Sequence, residues 1–244
     1  MLSDPTELLV VAGEPSGDRL AARVLEALKA RAPGVAAFGL GGPRTAAAGC
    51  RLLADVTDLA GVGIRDLAGR AGGWADAWYR LRREHDRRRP RAALLVDSPE
   101  LNLPLARILT ASGTRVVQYV APQVWAWRPG RAHLLRDRVH SLALILPFER
   151  EVFAGTGVRT ELVGHPLLDE PPPRPPDEVR ARLGARADTT LVALLPGSRA
   201  GEIARLGPPM IEAGRRVARA GVRSVIAPAP VPAAAGIRRA ARRA

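Results

Sequence analysis

Residues Leu8–Leu20, LLVVAGEPSGDRL, constrain the fold more than any other stretch of this chain. Leu8, Leu9, Val10 and Val11 form an apolar run with no polar face, as a strand requires when both faces of a parallel sheet are covered. Gly13, Pro15 and Gly17 follow, and they suit a backbone that turns sharply and lets another group come close. Leu20, Val24, Leu25 and Leu28 then recur at helical spacing, with Ser16 or Asp18 placed to cap the helix. A strand–loop–helix corner of this kind lies at the carboxyl edge of an α/β sheet, where ligands bind. Glu14, Ser16 and Asp18 are then expected to face the crevice. The same corner also serves merely to turn a chain, and these residues alone leave both readings open.

The alternation continues. Strands are expected at Ala36–Leu40, Leu52–Leu53, Ala92–Val96, Val116–Val120, Leu142–Leu146 and Glu161–Val163, a helix at Leu103–Leu109, and a loop from Ala121 to Arg131. Repeated β-α units build a parallel, doubly wound sheet. Asp169–Asp177, DEPPPRPPD, is proline-dense and reads as a stiff, extended linker. The expected organisation is a first domain at 1–166, a linker at 167–176 and a second domain at 177–244. In the second domain a helix is expected at Asp177–Leu183, strands at Leu191–Leu195 and Val222–Ile226, and a helix at Ile203–Arg219 kinked at Pro208-Pro209. Two strands are too few for a sheet to bury a core, so the sequence is expected to be incomplete at its C-terminus.

The 244 residues allow one large or two modest domains. The formal net charge is +13, from 37 basic and 24 acidic residues, and Lys29 is the only lysine. With abundant Ala, Gly and Pro this reads as a compositional bias, so the charge argues only weakly for nucleic acid. It favours anionic partners such as phosphates, nucleotides or acidic headgroups. Cys50 is the only cysteine, which excludes an internal disulfide and a cysteine metal cluster. No signal-peptide pattern and no apolar run of about 20 residues is present, so a reduced, cytoplasmic setting is expected. Ile64–Arg89 differs in character. Ile64, Leu67, Ala71, Trp74, Trp78 and Leu81 fall at helical steps, while Arg65, Arg70, Arg80, Arg82, Arg83 and Arg87–Arg89 occupy mostly other faces. Such a helix either packs on the sheet with its arginines in water or lies on a membrane surface.

Several motifs are excluded. Gly39/Gly41 and Gly61/Gly63 each begin a GxG, but Arg44 and Asp66 occupy the third glycine position of the dinucleotide fingerprint. No P-loop is present, Gly13–Gly17 is not a GxSxG elbow, and His85, His133, His140 and His165 form no zinc pattern. Neither a zinc site nor a dinucleotide cofactor is expected.

Polar residues follow one predicted strand after another: Glu14, Ser16 and Asp18; Asp97, Ser98, Glu100 and Asn102; Gln123, Trp125, Trp127 and Arg128; Glu149; His165; Ser198, Arg199 and Glu202. In a doubly wound sheet these strand ends share one edge. Carboxylates that bind or deprotonate hydroxyls, an arginine for phosphate and indole faces for sugar rings suit a sugar-phosphate substrate.

In order along the chain stand VAGEPSGD (Val11–Asp18), GLGGPR (Gly39–Arg44), DSPELN (Asp97–Asn102), PQVWAWRPGR (Pro122–Arg131), LPFE (Leu146–Glu149), VGHP (Val163–Pro166) and LLPGSRAGE (Leu194–Glu202). This series resembles the lipid-A-disaccharide synthases, inverting glycosyltransferases with two Rossmann-like domains of GT-B type. The resemblance implies an α/β fold with an N-terminal doubly wound domain and the beginning of a second, donor-binding one. It implies condensation of UDP-2,3-diacylglucosamine with 2,3-diacylglucosamine 1-phosphate to a β-1,6 disaccharide and UDP, without a metal. It places Asp97 at the general-base position, Glu14 and Ser16 at other activity-critical positions, and Arg199 at an arginine needed for activity. The remaining strand-end residues become substrate-binding candidates. It assigns docking on the anionic lipids of the inner membrane's cytoplasmic face to Trp74, Trp78, Leu81, Arg70, Arg80, Arg82 and Arg83, expects no nucleic acid, and leaves a homodimer open. The family's donor domain continues beyond the length seen here. A non-catalytic remnant that binds a membrane or partner, another UDP-sugar enzyme on the same scaffold, and a nucleic-acid binder suggested by charge alone are the competing readings.

Overall fold

The computed structural model describes residues 7–55, 67–127, 130, 132–198, 200–227 and 234–242, with only the backbone of 67–71, 127, 200, 238 and 240–242. The chain divides into two compact units, with the boundary between Glu170 and Pro171.

In the first unit, β1 (Glu7–Ala12), β2 (Ala36–Gly41), β3 (Cys50–Asp55), β4 (Ala92–Val96), β5 (Arg115–Tyr119), β6 (Ser141–Leu144) and β7 (Thr160–Leu162) alternate with helices. The helices are α1 (Pro15–Arg31), α2 (Pro43–Ala47), α3 (Leu67–Arg88), α4 (Pro99–Ala111), α5 (Val124–Trp127), α6 (Ala132–Leu135) and α7 (Glu149–Phe153). The strands form a 7-stranded sheet in the order β3-β2-β1-β4-β5-β6-β7. Every pairing between neighbours is parallel. The fold is thus α/β and doubly wound, a Rossmann-like domain.

The pleat explains the apolar runs. Leu9, Val11, Ala93 and Leu95 enter one buried cluster with α3 and α4, while Val10, Ala12, Leu94 and Val96 enter the other with α1. Alternate residues face opposite layers, and both layers are covered, so neither face can be polar. Gly39, at φ 152°, lets β2 pass close to β1, beside a register shift between β2 and β3. A Cβ there would stand 1.8 Å from the Val10 carbonyl oxygen.

Three local expectations change. The cap of α1 is Glu14, in extended conformation with Pro15 in the first turn, whereas Ser16 and Asp18 lie inside the helix. Pro15 presets the helical φ, so the helix starts earlier than the apolar spacing suggests. The expected loop from Ala121 contains the single turn α5, and α6 starts at Ala132. The helix expected at Leu103–Leu109 begins at Pro99 and runs through Pro104.

The Trp-bearing helix is the main correction. Leu81 is 1% exposed and Ala77 is fully buried, with Trp74 and Trp78 partly buried against the same cluster. The stripe of Trp74, Trp78 and Leu81 therefore packs on the sheet beside α4, in the same cluster. Leu81 is core and cannot reach a membrane surface, while Trp74 and Trp78 stay partly exposed. Two of the docking arginines are engaged along the helix, Arg80 with Asp76 at 2.8 Å and Arg82 with Asp86 at 3.4 Å. The Arg70 side chain lies outside the described residues. At the end of α3, Glu84 pairs with Arg51, Arg87 and Arg88, and these guanidinium groups hold its carboxyl well below the usual range.

The first unit closes with a 3₁₀ turn, Pro166–Asp169. Arg23 donates to the Pro166 and Asp169 carbonyls at 3.2 and 3.1 Å, and both Arg19 and Arg23 pair with Glu170.

In the second unit, α8 (Pro176–Arg182), β8 (Leu191–Leu194), α9 (Ala200–Arg219), β9 (Arg223–Ile226) and α10 (Ala234–Arg242) follow in order. β8 and β9 form a 2-stranded parallel sheet. Helix α9 continues through Pro208 and Pro209, and α10 supplies a helix the sequence reading had not placed. Ile203, Ala234 and Ile237 are its buried cluster among the described residues.

Candidate active site

The strand order reverses between β1 and β4, since β2 and β3 extend on one side and β5 to β7 on the other. At such a switch point the loops after the two strands diverge and leave a crevice at the carboxyl edge. Ala12 pairs with Val96, so Gly13-Glu14 and Asp97-Ser98 leave the sheet side by side. A Cβ on Gly13 would lie 2.8 Å from Ser98 Oγ, and only glycine lets the two loops meet this closely. Glu14 and Asp97 are half-buried there, and Ser16 is exposed on the first turn of α1.

The corner after β4 is strained. Asp97 has φ 52°, Ser98 φ 41°, and Val120, just past the adjoining strand, φ 68°. Left-handed backbone costs about 1–2 kcal/mol for a residue with a Cβ. Such conformations persist only where surrounding contacts impose them. Here Asp97 N–H donates to Tyr119 O at 2.9 Å. The Asp97 carbonyl accepts from Asn102 Nδ2 at 2.6 Å and Gln118 Nε2 at 3.0 Å.

Other predicted site residues serve the backbone. Asp18 is 3% exposed. Its carboxylate accepts from Gly42 N, Thr45 N and Arg44 N at 2.8, 2.9 and 3.1 Å, occupying the start of α2. It faces GGPR rather than the crevice. Glu149, 1% exposed, accepts from Ile145 N and Leu146 N, both at 2.9 Å. Asn102 is fully buried and donates to Val96 and Asp97. Each of these three is spent on satisfying or shaping a loop, because an orphaned buried N–H or a strained corner costs more than an exposed acid gains. His165 Nδ1 accepts from Leu167 N at 3.2 Å and caps the 3₁₀ turn. In the second unit Glu202 accepts from Ser198 N at 3.0 Å, bracketing the Pro-Gly-Ser turn before α9. Arg199 and Arg128 lie outside the described residues, as does the Trp127 side chain.

The edge beyond β5 and β6 carries an aromatic pair. Trp125, 40% exposed, meets Phe148, 44% exposed, edge to face at 5.2 Å between ring centroids. Gln123 is exposed in the same loop. Burial, with Asp169 nearby, raises the Tyr119 phenol above its ordinary value, and Arg23 partly offsets this.

Sequence reasoning missed Gln118 and Phe148 as participants, while Ser98 stood among the expected strand-end residues. A glutamine inside the otherwise apolar run VVQY was the one available signal for Gln118.

A second cluster has the outline of a hydrolytic triad. His85 Nε2 lies 3.1 Å from Ser112 Oγ and from Thr114 Oγ1, and His85 Nδ1 lies 3.0 Å from Asp86. Ser112 Oγ, however, donates to Leu109 O at 2.7 Å. The N–H groups of Ser112, Gly113 and Thr114 are all bonded within the helix end, which leaves no oxyanion donor. The cluster ties α3 to the start of β5. Among the described residues no group of His, Cys, Asp or Glu is arranged to hold a metal ion, and no helix is long and apolar enough to cross a membrane.

Comparison with known proteins agrees with the arrangement of motifs. The lipid-A-disaccharide synthetase family profile matches residues 8–220. A lipid-A-disaccharide synthase of Anaeromyxobacter sp. (strain K) is 45% identical over 211 residues, covering 86% of this chain and 55% of the relative. That of Myxococcus xanthus is 41% identical over 232 residues, covering 94% and 61%. That of Geobacter sulfurreducens is 37% identical over 211 residues, covering 86% and 55%. The chain thus spans a little over half the length of the curated relatives it matches.

Proposed function

Because the chain belongs to the lipid-A-disaccharide synthetase family, we propose that it acts in joining UDP-2,3-diacylglucosamine to 2,3-diacylglucosamine 1-phosphate. The observation that carries this reading is the meeting of the Glu14 and Asp97 loops at the switch point of the sheet. Asp97, half-buried but not enclosed, takes the proton from the acceptor 6-hydroxyl. The hydroxyl oxygen bonds to the donor's anomeric carbon as the bond to UDP breaks, and UDP leaves with the electron pair. Attack from the face opposite UDP gives the β-1,6 linkage. Glu14 and Ser16 bind sugar hydroxyls, and Trp125 with Phe148 offers an apolar face to the lipid sugar. Gln123, Trp127, Arg128 and His165 are further contacts. Ser198 and Arg199 are assigned to the donor's diphosphate, with Glu202 shaping their turn.

Both substrates carry acyl chains, so the reading includes peripheral docking at the cytoplasmic face of the inner membrane. With Leu81 buried and Trp74 and Trp78 half-buried against the core, Tyr79, 65% exposed, and the exposed Arg80 and Arg83 take that role.

The test is turnover. Incubation of the protein with both lipids should yield disaccharide and UDP, and Asp97→Ala should lower the rate about 10²–10⁴-fold. A variant retaining more than about a tenth of the rate would remove Asp97 as base. A second reading, in which the protein binds the acceptor without transfer, is the alternative outcome of this test. Saturable acceptor binding with no product would select that reading.

A further inference from the structure

Gln118 and Asn102 are fully buried, come from different elements, and converge on one acceptor, the Asp97 carbonyl. Gln118 Nε2 also lies 3.4 and 3.2 Å from the Tyr119 and Val120 carbonyls. Three carbonyl oxygens around one nitrogen determine which way this amide points, since a flipped amide would set oxygen against oxygen. The orientation has a consequence: Gln118 Oε1 and Asn102 Oδ1 are buried with no hydrogen-bond partner among the described residues. Packing alone would be served as well by leucine or methionine, which bring no orphaned acceptor. The amide nitrogens are therefore what the site uses. They reach the residues at φ 52° and φ 68° that end β4 and β5, the backbone that most needs imposing contacts. The same corner carries the carboxylate of Asp97. The left-handed turn stops the strand's alternation at Val96, so Asp97 leaves the pleat for the crevice.

We propose that Gln118, with Asn102, is a positioning residue. Its side-chain N–H groups clamp the Asp97 and Val120 carbonyls and hold Asp97 in its left-handed conformation at the switch point. The proposal rests on the reading of Asp97 as the residue the site presents to its substrate.

The test uses the whole chain, isotopically labelled, with amide exchange and backbone chemical shifts read by NMR. Gln118→Leu keeps the volume and removes both donors. The expected result is exchange at the Asp97 amide at least tenfold faster, with shifts displaced at Asp97, Ser98 and Val120. Leu9 and Leu94 should keep their protection and the melt should stay cooperative. Gln118→Glu supplies the rescue. Its protonated carboxyl can donate one hydrogen bond to these carbonyls and its carboxylate cannot. The corner should then be native-like at low pH and displaced above the carboxyl's titration, a local pH profile that loss of packing would not produce. Should Gln118→Leu not fold, Gln118→Glu alone decides. Native shifts and exchange at Asp97 in the variants, or displacement in Gln118→Glu that ignores pH, would overturn the proposal. Turnover by Asp97→Ala is read separately. A corner that loosens without Gln118 while Asp97→Ala stays active would keep the clamp and discard the base.

Discussion

Asp18 is the residue for which the two readings of a strand-end carboxylate diverge most sharply in measurable terms. As a ligand contact, its removal would weaken binding and leave the fold unchanged. As the bracket on GGPR, its removal leaves three N–H groups without an acceptor, those of Gly42, Arg44 and Thr45. A hydrogen bond to a charged group contributes about 1.5–3 kcal/mol. The three share one carboxylate and one helix end, so their contributions do not simply add. Each N–H left without an acceptor costs about 1–3 kcal/mol, so the bracket as a whole, counted below the full sum, is worth about 3–5 kcal/mol. In a unit of this size each kcal/mol moves the melting temperature by about 2–4 °C, so Asp18→Ala should melt about 6–20 °C lower. Asp18→Asn keeps an oxygen for Gly42 and Thr45, which share Oδ1, but turns an amide N–H toward Arg44 N. It should lose about 1–3 kcal/mol. All four tryptophans lie in the first unit, so indole fluorescence reports this unit's unfolding without interference from the second. An Asp18→Ala protein that melts with the wild type and binds acceptor lipid more weakly would refute the bracket and return Asp18 to the crevice.

Three further outcomes are expected. Trp74→Ser with Trp78→Ser should abolish the cooperative melt of the first unit, because both indoles pack on the main core. Tyr79→Ser with Arg83→Glu should keep the melt and reduce salt-sensitive co-sedimentation with anionic liposomes; a folded tryptophan double variant that alone loses sedimentation would reverse the two roles. Burial pushes the Cys50 thiol up to about 11 from 9.0. The folded state therefore resists ionisation that the unfolded chain undergoes, so the contribution is complete below pH 9 and is lost as pH rises from about 9 to about 11. The urea midpoint of wild type minus that of Cys50→Ala, measured at pH 8 and pH 11, should fall across that window. A flat difference would mean the thiol is not shielded.

Local pattern carried most of the framework. The run Ala92–Val96 is a strand at those bounds because five aliphatic residues fit only an element covered on both faces. Strand, loop and helix in repeated order led to a doubly wound sheet, and so to Glu14 and Asp97 at its carboxyl edge. Spacing along α3 located its apolar stripe, yet nothing in spacing says whether a stripe meets a sheet, a membrane or water. That was decided by the cluster the stripe joins on the sheet, beside α4. The roles of Asp18, Glu149 and Asn102 were likewise out of reach, because a carboxylate or amide is defined by its partner. The partners of Asp18 stand 24 to 27 residues away, on a loop that only the pairing of β1 with β2 brings to it. Gln118 shows the limit most plainly. In VVQY it is a polar residue in an apolar run, and its meaning depends on a corner of β4 that becomes its neighbour when the two strands pair. Backbone period is a local property of consecutive residues, and the chain displays it directly. Which polar groups must satisfy one another depends on contacts between distant segments, which exist only once the sheet is assembled.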